Sequence, residues 1–228
     1  MAGNLSRIQY HTAKIYDLLA ASEVRLQSRA VVQFAEKHKL IYFRTVNVHD
    51  YSVPVVRGIT AALHQRDKNL CIGAHDGYDL VYVQRQTTEK DVNGIEAVHN
   101  WHVMEFDLKK STDQPLVIVG ASSLDKPFYA KVLSEHRQLR HIPLSHATAN
   151  AFQDHCTVLG SLADTEHINR LLPSDITTKM AHHKEPFSIE LYEDSLFVFV
   201  NNQKVSDQLL TKMMHYGIWL ARHIDGIA

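Results

Sequence analysis

The sequence predicts an α+β fold, a largely antiparallel sheet packed by an N-terminal and a C-terminal amphipathic helix. Three observations predict it. Residues 6–39 contain no Gly or Pro, and Ile8, Ile15, Leu18, Leu19, Leu26, Ala30 and Phe34 recur there at helical spacing. Leu209, Met213, Tyr216, Leu220 and Ile224 repeat that pattern near the C-terminus. Between the two, strand-like segments alternate with short polar turns, the pattern of an antiparallel sheet.

The elements follow in order. LIYFRTV, 40–46, reads as a strand. LCIGA (70–74) and YDLVYVQRQ (78–86) flank His75-Asp76-Gly77, a hairpin signal because Gly adopts positive φ without steric cost. TTEKDVNG, 87–94, reads as a polar loop, and HNWHVMEFDL, 99–108, as a strand. Lys109 to Gln114 reads as a turn, and PLVIVGA, 115–121, as a short apolar strand. HCTVLGS, 155–161, is strand-like. Asp164 or Thr165 is placed to cap a helix over TEHINRLL, and Pro173-Ser174 to start another over DITTKMAHH. FSIELYEDSLFVFVNN, 187–202, reads as two strands, 187–192 and 195–200, with a turn between them. LFVFV is apolar on both faces, which suggests a central strand. Ser206 suits the N-cap of the last helix, with Val205 stapled onto Leu210. We read residues 1–40 as an N-terminal helical segment and 41–228 as the α+β domain, with a candidate sub-boundary near 121–150.

Composition bounds the function. The chain has 228 residues, 45% of them hydrophobic and 21% charged, the proportions of an ordinary globular protein. Lys plus Arg number 24 and Asp plus Glu 25, so the basic excess that nucleic acid requires is missing and no nucleic-acid partner is expected. Cys71 and Cys156, far apart, suit a reducing compartment. No apolar run reaches the roughly 18 residues of a bilayer span. MAGNLSRIQYHTAK lacks the apolar core of a secretory signal. A cytoplasmic location follows, at or near a membrane surface if the N-terminal helix docks there.

The 16 histidines are the compositional oddity. His99 and His102 have a metal-like spacing, but residues three apart on a strand point to opposite faces. His102 would lie with Met104, Phe106 and Leu108, and His99 with Trp101, Val103 and Glu105. His182 and His183 end a helix, where imidazole meets the negative end of the macrodipole. His136, His141 and His146, five apart, align on neither a helix nor a strand. No metal site is expected. Asp154-His155-Cys156 suggests thiol chemistry, yet adjacent strand residues point apart, so His155 is a poor base for Cys156. A small core residue is the simpler reading of Cys156. Phosphate-cradling glycine loops and the common hydrolase and zinc motifs are absent from the sequence, so no catalytic residue and no cofactor is expected.

Three stretches together resemble a bacterial family of uncharacterised proteins. VVQFAEKHKLIYF, 31–43, is similar to its helix followed by a strand that opens near an aromatic. FQDHCTVLGSLADTEHINRLLPSDI, 152–176, is similar to its central strand, an Asp before a helix, and a Leu-Leu step into a second helix. FSIELYEDSLFVFV, 187–200, is similar to its closing hairpin. Members often carry N-terminal transmembrane helices; this sequence shows none, and Cys156 stands where an aromatic is usual. The resemblance implies an α+β fold and no functional residue.

Two functions follow as expectations. The first is a non-enzymatic binding or scaffold module, docking on a protein partner or a membrane surface through the N-terminal helix. The alternative is a small-molecule hydrolase or transferase using Cys156 or a His/Asp pair drawn from distant positions. The sequence names no binding residue.

Overall fold

Antiparallel pairing organises the chain. The computed structural model describes residues 28–46, 56–62, 65–90, 96–120, 126–145, 149–182 and 187–226. Helix α1 covers 28–38. Strands β1 (Ile41–Thr45), β2 (Gln65–His75), β3 (Tyr78–Lys90) and β4 (Glu96–Gly120) follow. Then come α2 (Lys126–Glu135), β5 (Arg140–His141), α3 (Ala149–Gln153) and β6 (Cys156–Gly160). A 3-10 turn at Leu162–Asp164 leads into α4 (Thr165–Leu171), α5 (Ser174–His182), β7 (Ser188–Asn201) and α6 (Asp207–Asp225). The 7-stranded sheet has the order β1-β2-β3-β4-β6-β5, with β7 also on β4. Every pairing is antiparallel.

β4 is the axis. Its first part pairs with β3 from Glu96 to Phe106, and its last part with β6 from Val117 to Gly120. β7 pairs with both parts, from Trp101 to Ile118. It therefore lies along the opposite edge of β4 from β3 and β6.

The sheet is covered on both faces. On one, Met104, Phe106 and Leu116 of β4 meet Leu196, Val198 and Val200 of β7, with α6 above them. Val31, Phe34 and Ala35 of α1 and Ile168 of α4 join this core. On the other face Trp101, Val103, Phe197 and Phe199 meet Phe128, Tyr129 and Val132 of α2. The amphipathic pattern explains both terminal helices. The expected stripe of α6 is buried, and Ser206 caps it by accepting from the backbone N–H of Leu209 at 3.1 Å. Gly226, at φ 71, ends it in the left-handed conformation that favours glycine. Of the N-terminal stripe, Ala30 and Phe34 lie in α1, while Ile8, Ile15, Leu18, Leu19 and Leu26 fall outside the described residues.

The hairpin at Asp76-Gly77 forms as expected, with φ of 52° and 84° at the two turn residues. Two other expected turns do not form. Lys109 to Gln114 lies inside the 25-residue β4, and Glu193-Asp194 lies inside the 14-residue β7. These polar stretches face each other across the pair, where the register shifts between Asp107 and Thr112 and again between Thr112 and Leu116. They are bulges in two long strands. A bulge shares a turn's polarity because its extra residues leave the pleat and meet solvent. LFVFV is also not a central strand, since among the described residues β7 pairs with β4 alone. Burial of both faces comes from α6 and α2, and is independent of pairing at the edges.

Gly217 marks where α6 crosses β4. A Cβ there would stand 2.1 Å from the Phe106 ring. Gly217→Ala gains helix propensity but overpacks this crossing. A net loss of about 1–3 kcal/mol in denaturant unfolding is expected.

Candidate functional site

The bulge in β4 is held open by the end of α6. Breaking the ladder frees backbone N–H groups that need acceptors. The Oδ1 atom of Asp225 accepts from the N–H of both Lys109 and Lys110, each at 3.1 Å. Its Oδ2 accepts from the Tyr78 hydroxyl at 2.9 Å. Across the pair, the Thr112 hydroxyl donates to the Glu193 carbonyl at 3.1 Å. One buried carboxylate thus ties the bulge to the C-terminal helix and to β3.

Between this bulge and α4 lies a cavity of about 140 Å³. Pro115, Leu116, Leu191, Ile168 and Leu171 supply apolar wall, and Ser111, Thr112, Asp164 and His167 supply polar groups. Asp164 occupies the N-cap position of α4, as the sequence suggests, but its side chain makes no capping bond. Ser161 instead caps the preceding 3-10 turn, accepting from the N–H of Ala163. The Asp164 carboxylate is therefore not consumed by the helix. Apolar wall with a few convergent polar groups is the usual lining of a small-molecule site, and this recess is a small one of mixed polarity.

In fold, this chain is similar to a mycobacterial transport factor. That structure is the mycobacterial trehalose monomycolate transport factor A, matched with a TM-score of 0.56 over 88% of this chain and 93% of that one. The two sequences are 13% identical, so the likeness is one of fold. No protein-family model matches the chain, and no curated protein does.

The residues singled out from sequence do not converge on a reaction centre. Cys156 opens β6 and packs against the core, where burial pushes its thiol up to about 11. Burial pushes Cys71 up to about 12. At neutral pH neither thiol carries the thiolate that nucleophilic chemistry uses. His99 and His102 lie on opposite faces of β4, as the strand spacing requires. His99 stacks on Trp101 at 5.5 Å and meets the Asn201 amide at 3.1 Å. His102 bridges the Tyr82 hydroxyl and the Gln203 carbonyl, both at 2.9 Å, and burial lowers its pKa. His182 returns to the Thr178 carbonyl at the end of α5, while His183 and His146 fall outside the described residues. Asp164 and His167 are a His/Asp pair from one short segment, and no hydrogen bond joins them.

Sequence reasoning missed two buried ionic features on the α2 face. Arg85 is 0% exposed and holds both oxygens of Asp67 at 2.9 Å through Nε and Nη2. It also donates to the Thr60 hydroxyl at 3.1 Å and to the Val56 carbonyl. These bonds fasten the irregular strap 56–62 across the sheet. Glu190 fastens the same strap by accepting from the Ile59 N–H at 2.7 Å. A signal existed for Arg85: in YDLVYVQRQ it shares its alternation with Val81 and Val83, the register of a buried face.

Glu190 has a pH consequence. Burial, with a contribution from Glu105, raises its carboxyl from an ordinary 4.5 to about 7. The folded protein then binds a proton that the unfolded chain does not hold between these values. This contribution to stability is present in full below about 4.5 and is lost as pH rises through about 7. Its size is on the order of 3 kcal/mol. Glu190→Gln keeps an acceptor for Ile59 and cannot ionise. The variant should be more stable than the parent at pH 8, with the gap shrinking towards pH 5, in paired denaturant melts. His102 acts in the opposite sense but is common to both proteins, so it cancels in the difference.

Proposed function

We infer that this chain is a non-catalytic binding module of envelope lipid traffic, peripheral to a membrane. The observation that carries this reading is the cavity at the β4 bulge, where apolar wall from Pro115, Leu116, Leu191, Ile168 and Leu171 meets polar groups that include an Asp164 carboxylate not used as a helix cap. Two further facts support it. Of the buried ionisable groups, Arg85, Glu190 and Asp225 fasten backbone and Asp67 holds Arg85, which is scaffold work. The fold is similar to that of a protein named for transport of trehalose monomycolate. No helix among the described residues is long and apolar enough to cross a membrane. Contact with the bilayer or with a protein partner would then fall to the amphipathic stretch that includes Ile8, Ile15, Leu18 and Leu19.

Vesicle flotation tests this. Vesicles containing a trehalose monoester of a long-chain fatty acid should carry the chain to the top of a density gradient. Ile15→Asp with Leu19→Asp should leave it at the bottom with its melting temperature unchanged. Equal recovery of parent and variant at the bottom would refute membrane contact.

A further inference from the structure

We propose that the cavity at the β4 bulge takes an uncharged polyhydroxylated head bearing one ring-sized apolar group, and that Asp164 receives one of its hydroxyls. This rests on reading the chain as a binding module, and it names the ligand class of that module's site.

Volume limits the apolar part. A void of about 150 Å³ lined by aliphatic side chains accommodates a single benzene ring. The cavity here, about 140 Å³ with Leu116, Leu191, Ile168 and Leu171 on its wall, admits a ring or about six carbons and not a long chain. Any longer tail must leave through the mouth.

The polar groups limit the head. The Asp164 carboxylate only accepts hydrogen bonds. His167 and the Ser111 hydroxyl both donate and accept, while the Thr112 hydroxyl, whose hydrogen goes to the Glu193 carbonyl, accepts. A phosphate or carboxylate head only accepts and meets Asp164 with like charge, and among the described residues no Lys or Arg lines the cavity to offset that. An ammonium head only donates, so it satisfies Asp164 and leaves the donors of His167 and Ser111 unmatched. A sugar or polyol hydroxyl does both, and several adjacent hydroxyls serve the whole rim at once. The bulge matters here because Ser111 and Thr112 stand at the cavity in the stretch where β4 and β7 run out of register.

Three probes of equal tail length separate the possibilities: hexyl glucoside, hexyl phosphate and hexylammonium, titrated calorimetrically into the full chain. The proposal expects saturable one-to-one binding of hexyl glucoside, at least about tenfold tighter than either charged probe. Asp164→Ala should weaken it about tenfold or more at unchanged melting temperature, the effect of losing a hydrogen bond to a charged group. Ser111→Trp, which fills the mouth from an exposed position, should abolish it. Tighter binding of a charged probe at the same site would overturn the assignment of the head and leave the binding module standing. Binding of hexyl glucoside that ignores both substitutions would overturn the location. Binding of no probe would overturn this proposal, while vesicle flotation would still decide the module reading separately.

Discussion

Arg85→Met should cost about 3–5 kcal/mol, the range for breaking a buried ion pair from one side. The loss comes from Asp67, which is 7% exposed and would keep its charge with only the Gln65 amide, 3.1 Å away, beside it. Replacing both members, Arg85→Met with Asp67→Leu, should recover most of that loss, because no unpaired charge then remains. The strap should respond in both variants. Without Arg85 the Val56 carbonyl and the Thr60 hydroxyl lose their donor, so amide exchange over 56–62 should quicken even where global stability returns. Denaturant unfolding and hydrogen exchange together check this.

Phe199→Ala should cost about 3–5 kcal/mol. Its ring is 0% exposed and meets Trp101 edge-on at 5.8 Å, under α2. Val198, also 0% exposed, sits on the other face with α6. Val198→Ala should cost less, since fewer atoms leave the core. Glu193→Ala should fall within about 0.5 kcal/mol, the usual span for exposed positions. Its ion pair with Arg57 is 3.8 Å long between exposed side chains. That ordering marks β7 as scaffold. Guanidinium melts of the three variants measure it.

The parts of the fold legible in sequence are those set by local pattern. The helical stripe of α6, the cap at Ser206 and the Asp76-Gly77 turn each depend on a few neighbouring residues. The period of 2 along HNWHVMEFDL correctly separated His99 from His102. The continuity of β4 and β7 was not legible. Lys109–Gln114 and Glu193-Asp194 carry turn chemistry, and the partners that hold them as bulges are distant in sequence, Asp225 for Lys109 and Lys110 and Thr112 for Glu193. The position of β7 failed for a different reason: alternation reports which faces are covered and says nothing about which edges are paired. Arg85 could have been read from its register, whereas Glu190 alternates with Ser188 and Tyr192, a pattern that reads as a polar face. The cavity had no local signal, because it exists only where the bulge meets α4.

The central claim, that this chain binds and does not transform its ligand, is tested most directly by what happens to a bound ester. A trehalose monoester of a long-chain fatty acid, incubated with equimolar protein at pH 7 and followed by mass spectrometry, should associate saturably and be recovered intact in full. Release of free fatty acid, or transfer of the acyl group, at a rate above that in buffer and abolished by Cys156→Ala or His167→Ala, would contradict it.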